Sequence, residues 1–136
     1  MTRSLRSRAM VPVLAVGLGA VAVATLLAVV DPHEPGSYPS CPTFALSGLY
    51  CAGCGTMRAV NSLVRLDLAG AWDMNPLFVL VLPGLALAWF AWARRAWTGR
   101  ARRWVMPAWF GWLAVAAILV YSALRNVPAL EPWLAP

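Results

Sequence analysis

The sequence predicts an all-α integral membrane protein with three transmembrane helices and one short amphipathic helix. Hydrophobic residues make up 61% of the 136 residues and charged residues 12%, whereas soluble domains average about 45–50% and about 25%. The apolar residues also gather in three long runs without a charged side chain, at 10–30, 77–93 and 104–124. Because about 20 apolar residues in a helix cross a hydrocarbon core of about 30 Å, these runs are the predicted spans.

The first run follows a basic N-terminus, residues 1–9, which carries three arginines. A cleaved signal peptide has the same order of basic and apolar segments, but its apolar part is usually about 7–15 residues long. The run at 10–30 is longer, and Ala28-Val29-Val30 is a poor cleavage site. We therefore expect a retained transmembrane helix, with a signal peptide as the alternative.

A loop of mixed character, residues 31–74, follows the first span. It opens with an irregular segment rich in proline and glycine that extends to Ser40. From Thr56 onward, apolar and polar residues recur with helical spacing. This spacing predicts a short amphipathic helix that lies at the membrane interface or folds against the helix bundle. Residues 41–55 lie between these two parts, contain all three cysteines, and are called the cysteine knuckle below.

The second span, residues 75–93, has a clear start signal. Asn75 is a good N-cap, and Pro76 is tolerated in the first helical turn, where its missing N–H is not needed. Pro83-Gly84 predicts a kink within the span. The remaining segments are an Arg-rich loop at 94–103, the third span at 104–124 and a tail at 125–136.

The distribution of arginine predicts the orientation of the chain. Three arginines precede the first span and five lie between the second and third, whereas the loop at 31–74 has two arginines and four acids. The positive-inside rule therefore predicts a multi-pass protein of the cell membrane with a cytoplasmic N-terminus and an outward-facing knuckle. Because the arginines lie at the ends of apolar runs, the predicted partner is the lipid bilayer and not nucleic acid. Another membrane protein or a second copy of the chain is a further candidate partner.

The three cysteines are the candidate site residues. Cys51 and Cys54 form a C-x-x-C motif, and Cys41 lies ten residues upstream. In an oxidising compartment two of the three could form a disulfide that staples the loop. Cys51 and Cys54 could instead be a redox pair, with a thiolate stabilised by the N-terminus of the following helix. All three could also bind zinc with a fourth ligand such as His33, and the sequence leaves these uses open.

Four polar residues are expected to support the knuckle. Thr56 and Arg58 begin the helix after it, Asn75 opens the second span, and Arg125 ends the third. In the predicted topology all four lie at the outer boundary of the membrane, where an arginine needs an acceptor. We therefore expect Arg125 within about 7 Å of the knuckle or of Asn75, the reach of one side chain. The candidate acceptors are Asp67, Asp73, the carbonyl groups of the knuckle and a bound anion.

An enzymatic role is the less favoured one, because one histidine and five acids offer few groups for acid–base catalysis. The leading hypothesis is a membrane protein that acts as an accessory or scaffold subunit and docks a partner through the knuckle. The alternative is a thiol-redox or metal-binding membrane factor that uses the C-x-x-C motif.

Three motifs in the middle of the chain have a characteristic spacing: Cys41-Pro42, Ser47-Gly48-Leu49-x-Cys51-x-x-Cys54-Gly55-x-x-Arg58-Ala59 and Asn75-Pro76-Leu77. Together, over residues 41–90, they resemble the DUF2752 family of small bacterial membrane proteins. The chain departs from the family pattern at Ala52, where proline is usual, and at Thr56, which stands one place early. The resemblance implies a multi-span membrane protein whose distinctive part is the knuckle, and it implies no particular activity.

Overall fold

The computed structural model describes residues 3–100 and 106–135. Within these ranges the regular secondary structure is entirely α-helical, as the sequence predicts. The helices are α1 (Arg3–Val29), α2 (Pro42–Ser47), α3 (Thr56–Val64), α4 (Leu68–Met74), α5 (Pro76–Thr98), α6 (Ala108–Leu124) and α7 (Glu131–Leu134).

Helices α1 and α5 pack against each other in antiparallel directions. The indole Nε1 of Trp89 on α5 donates to the carbonyl of Val13 on α1 over 3.3 Å. Gly17, one turn further along α1, lets the Trp89 ring approach so closely that a Cβ at this position would lie 2.8 Å from it. Glycine therefore permits the tight contact that holds the two long helices together.

Two of the helices are long and apolar enough to cross a membrane, at Ser7–Val29 and Pro76–Thr98. Helix α6 is apolar too, but its 17 residues, Ala108–Leu124, make it shorter than the predicted third span. Pro107 precedes its first residue in an extended conformation. Residues 104 and 105 of the predicted span lie outside the described residues.

The start of α5 agrees with its sequence signal. The side chain of Asn75 accepts a hydrogen bond from the backbone N–H of Phe78 over 3.1 Å, so Asn75 caps the helix as expected. The helix continues through Pro83 and ends at Thr98, before Gly99 in a left-handed conformation with φ +68°. It extends beyond the uncharged run because arginine, which follows that run, is a favourable helix residue.

The predicted amphipathic helix is divided into two shorter helices, α3 and α4. The break falls at Leu66, which has a φ of +62°, and Asp67 then caps α4 by accepting from the N–H of Gly70 over 2.9 Å. Helix α3 lies against the end of α1, where the buried Asn61 donates to the carbonyl of Leu27 over 2.6 Å. The polar region of the chain therefore covers one end of the pair of long helices.

Candidate functional site

The cysteine knuckle brings its three sulfur atoms into one cluster. The Sγ of Cys51 lies 3.5 Å from that of Cys41 and 3.3 Å from that of Cys54. All three sulfur atoms lie within 4.8 Å of one another. Cys54 is buried, with 7% of its surface exposed, whereas Cys41 and Cys51 are half-buried. The three residues are free thiols, so the cluster offers three soft ligand atoms.

The local structure explains how residues ten positions apart meet. Helix α2 begins directly after Cys41 and ends at Gly48, whose φ of +70° turns the chain back. The tight turn from Cys51 to Cys54 then closes with a hydrogen bond from the N–H of Cys54 to the carbonyl of Cys51 over 3.1 Å. Gly55, with a φ of +80°, leads into α3. The glycines supply left-handed conformations that a residue with a side chain adopts only with strain.

The three thiols differ in their electrostatic surroundings. The backbone N–H of Phe44, and then the thiol of Cys51, lower the pKa of Cys41 to about 6. Burial raises the pKa of Cys54 to about 12, and its contact with Cys51 contributes in the same direction. The knuckle therefore joins a thiol that ionises readily to one that favours its protonated form.

The carboxamide of Asn75 holds the knuckle against the start of α5. Its Nδ2 donates to the carbonyls of Ala52 and Cys54 over 2.9 and 3.2 Å, and to Oγ1 of Thr56 over 3.0 Å. Its Oδ1 accepts from the Tyr121 hydroxyl over 3.3 Å, in addition to capping α5. Asn75 is 1% exposed, so one buried side chain connects the knuckle, α3, α5 and α6.

Arg125 holds the knuckle from the end of α6. Its Nη1 donates to the carbonyls of Cys51 and Cys54 over 3.0 and 2.7 Å, and its Nη2 donates to the carbonyl of Met74 over 3.3 Å. The residue is fully buried, and the centre of its guanidinium lies 5.4 Å from the ring centroid of Tyr121. The expected proximity of Arg125 to the knuckle is confirmed, and its acceptors are backbone carbonyls.

Two residues at the end of α6 were missed by the sequence analysis. Asn126 pairs with the backbone of Tyr50, since its Oδ1 accepts from the N–H over 2.9 Å and its Nδ2 donates to the carbonyl over 2.8 Å. The Oγ of Ser122 accepts from the N–H of Ala52 over 3.0 Å. The sequence offered one indication of their role. Ser122 and Asn126 are four residues apart and flank Arg125, so their polar side chains lie close together at the end of an apolar helix.

The remaining predicted residues lie at the edge of the cluster. Arg58 is exposed and donates from Nε to the carbonyl of Pro32 over 3.3 Å. His33 was a candidate for the fourth zinc ligand. Among the described residues, the group of potential metal ligands at this site consists of the three cysteines and does not include His33. Its Nδ1 lies 2.8 Å from Oδ1 of Asp31, whose pKa is lowered by the backbone N–H of His33. The structure therefore brings Thr56, Asn75 and Arg125 to the knuckle, and leaves His33 outside it.

An open cleft of about 620 Å³ borders the cluster. Its lining includes Cys41, Cys54 and most residues of the segment from Pro32 to Ser40. The rings of Phe44 and Tyr50, which are stacked with centroids 4.8 Å apart, form part of its wall. Small solutes can therefore approach the cysteine cluster from outside.

The fold and the site define a small helical protein. Residues 31–75 and the end of α6 form a polar region, called the cap below, which contains the three-cysteine cluster and covers one end of two long apolar helices. Residues 41–89 match the model of the DUF2752 family, which is described as a protein family of unknown function. This match confirms the resemblance drawn from the cysteine, glycine and Asn-Pro motifs. No curated protein and no solved structure matches the chain.

Proposed function

We propose that the protein is an integral membrane protein that binds one thiophilic metal ion, zinc above all, through Cys41, Cys51 and Cys54. The observation that carries this proposal is the convergence of three thiols within 4.8 Å. It favours the metal-binding hypothesis over a role as a scaffold without a metal, because a docking surface has no need to bring three sulfur atoms together.

The spacing of the sulfur atoms suits a metal ion. Zinc–thiolate bonds of about 2.3 Å in tetrahedral geometry separate neighbouring sulfur atoms by about 3.8 Å. The Sγ of Cys51 lies 3.5 Å from that of Cys41 and 3.3 Å from that of Cys54, which is within about 0.5 Å of that value. Small side-chain rotations would therefore suffice to bind the ion.

The surroundings of the cluster support an anionic metal–thiolate centre. Fully buried Arg125 donates to the carbonyls of two of the three cysteines. Three thiolates with one divalent ion have a net charge of −1, and the positive charge of a nearby guanidinium stabilises such an anion. Three protein ligands leave a fourth position for water or for a ligand that enters through the cleft, as in open zinc sites.

Metal content of the purified protein tests this function. We expect about one zinc ion per chain after reconstitution under reducing conditions, and a cobalt-substituted form with thiolate-to-cobalt absorption. Cys41→Ser and Cys54→Ser should each lose the ion, whereas Met57→Leu, a change at an exposed position in the cleft, should retain it. A reduced and folded wild-type protein that binds neither zinc nor cobalt would overturn the proposal.

We also propose that α1 and α5 cross the membrane with α6 as a third span, and that the knuckle faces outward. The two longer helices have the required length and apolar character. Trp89, in the half of α5 that ends in arginine, contacts Val13 in the first half of α1. Leu27, near the other end of α1, contacts Asn61 of α3, the helix that follows the knuckle. The excess of arginine at the end distant from the knuckle then supports a cytoplasmic location for that end.

A membrane-impermeant thiol reagent tests the orientation. Applied to intact cells after mild reduction, it should label the native cysteines. Labelling that occurs only after the cells are permeabilised would contradict the outward-facing knuckle and leave the metal-binding proposal untouched.

A further inference from the structure

Cys51 occupies the central position in the cysteine cluster. Its sulfur lies in contact with both of the others, at 3.5 Å from Cys41 and 3.3 Å from Cys54. The backbone N–H of Cys51 also donates to the sulfur of Cys54 over 3.3 Å, which holds that sulfur beside it. Three thiols can form only one disulfide among themselves, and the central sulfur is best placed to take part in it.

We infer that Cys51 makes the proposed metal centre redox-sensitive: oxidation joins Cys51 to one of its two neighbours in a disulfide, and the metal ion is released. This inference rests on the proposed function, because it concerns the loss of the same ion. The lone thiol that remains cannot hold the ion, since structural and catalytic zinc sites use three or four protein ligands.

The chemistry balances with hydrogen peroxide as the oxidant. The Cys51 thiolate attacks one peroxide oxygen, the O–O bond breaks, and hydroxide leaves, which gives a sulfenic acid at Cys51. The thiolate of Cys41 or Cys54 then attacks the Cys51 sulfur, the S–S bond forms, and a second hydroxide leaves. Two thiolates lose two electrons in total, peroxide is reduced to two hydroxide ions, and zinc departs as Zn²⁺ without a change in its oxidation state.

The sulfur atoms need to move only a short distance to form the disulfide. A disulfide requires a sulfur–sulfur distance of about 2.05 Å, so either neighbour needs to approach Cys51 by roughly 1.3–1.5 Å, a distance that side-chain rotation can cover. The cleft of about 620 Å³ reaches Cys41 and Cys54, and Cys51 is half-buried. A solute as small as peroxide can therefore reach the cluster.

Matched serine variants test the central role of Cys51. All proteins are compared in the metal-free state. Cys41→Ser leaves the pair Cys51 and Cys54, and Cys54→Ser leaves Cys41 and Cys51, so both variants should still form a disulfide in peroxide. Cys51→Ser removes the sulfur that lies 3.5 and 3.3 Å from the other two and leaves Cys41 and Cys54, whose sulfur atoms lie within 4.8 Å of each other. This variant should form a disulfide at least about tenfold more slowly than the metal-free wild type. Disulfide formation is measured as a mass loss of about 2 Da in the intact chain and as the number of thiols that remain open to alkylation.

The zinc-loaded wild-type protein completes the experiment. Peroxide should release the ion to a colorimetric chelator in step with the loss of two of the three thiols, and a thiol reductant should restore binding. Peptide mapping of the wild-type product should find Cys51 in the disulfide, which tests the inference even if Cys51→Ser does not fold.

The results separate the inference from the proposed function. A wild-type protein that never binds zinc would overturn the proposed function. A protein that binds zinc and keeps it, with all three thiols intact, while peroxide is present would overturn the inference alone. So would a wild-type disulfide between Cys41 and Cys54, or a Cys51→Ser variant that oxidises at the wild-type rate.

Discussion

The cap and the long helices of this protein are stabilised in different ways. The cap buries polar side chains, and Asn61, Asn75 and Arg125 are each at most 1% exposed. Their polar atoms have hydrogen-bond partners, apart from Nε of Arg125 among the described residues. The long helices, in contrast, expose large apolar side chains such as Leu18, Leu80 and Leu87. An apolar side chain can pack against any apolar surroundings. A buried amide or guanidinium needs hydrogen-bond acceptors at particular positions. The polar contacts of the cap therefore favour one arrangement of its helices and loops.

The comparison predicts that sensitivity to mutation is concentrated in the cap. Most substitutions along the outer faces of the long helices should be tolerated if they remain apolar. Substitutions of buried polar residues in the cap should be costly, because each leaves several backbone groups without partners.

Arg125→Ala should be the most destabilising change. It removes the donors to three backbone carbonyls and leaves a cavity in the cap, so we expect a loss of about 3 kcal/mol in the free energy of unfolding. Thermal unfolding in detergent measures the effect. Arg100→Ala is the matched control, because Arg100 is exposed at the opposite end, and it should change stability by less than about 0.5 kcal/mol. Equal losses of stability in the two variants would show that the cap is no more sensitive to substitution than the opposite end of the molecule.

Asn75→Asp should be less costly, at about 2 kcal/mol. The aspartate keeps an oxygen that can cap α5, but it loses the Nδ2 donor to Ala52, Cys54 and Thr56. Asn75→Ala removes both functions and should cost about 1 kcal/mol more, the usual contribution of an N-cap. If the aspartate variant were as stable as the wild type, the contacts of Asn75 with the knuckle would contribute little.

Gly17→Ala tests a close contact between the long helices. The new methyl group would meet the Trp89 ring, which lies 2.8 Å from the position of the added Cβ, so we expect a loss of about 1–2 kcal/mol. Gly84→Ala is the control, because a Cβ there has no neighbour within 4 Å in the described part of the chain. It should be neutral or slightly stabilising, since alanine favours the helix. Equal stability of the two variants would indicate that α1 and α5 have no fixed contact.

The last prediction concerns the reactivity of the thiols and not the stability of the fold. In the reduced, metal-free protein, Cys41 and Cys54 should react with alkylating reagents at different rates. A pKa of about 6 makes Cys41 mostly thiolate above pH 6, whereas the pKa of about 12 at Cys54 keeps that thiol protonated at neutral pH. Because the thiolate is the reactive form, iodoacetamide should modify Cys41 before Cys54 at pH 7. The rate at Cys41 should fall as the pH drops through about 6, and site-resolved mass spectrometry measures both rates. A faster reaction at Cys54 would contradict this order.

Features that depend on neighbouring residues could be predicted from the sequence. The apolar runs predicted the long helices, because an uncharged apolar segment of about 20 residues is long enough to cross a lipid bilayer as a helix. Asn75-Pro76 predicted the start of α5, since a cap acts on the turn that directly follows it. The cost of an arginine without an acceptor at the end of an apolar run predicted that Arg125 would lie near the knuckle.

The tertiary structure decided which of the available partners each group uses. For Arg125 the sequence offered Asp67, Asp73, the carbonyls of the knuckle or an anion, and the fold selected the carbonyls of Cys51, Cys54 and Met74. The pairing of Asn126 with Tyr50 joins residues 76 positions apart, and no local pattern encodes such a contact. The sulfur cluster also depends on the course of the chain. Helix α2 and the turn at Gly48 bring Cys41 to Cys51, which no local sequence pattern would show. Long-range contacts depend on the relative placement of whole helices, and packing in three dimensions sets that placement.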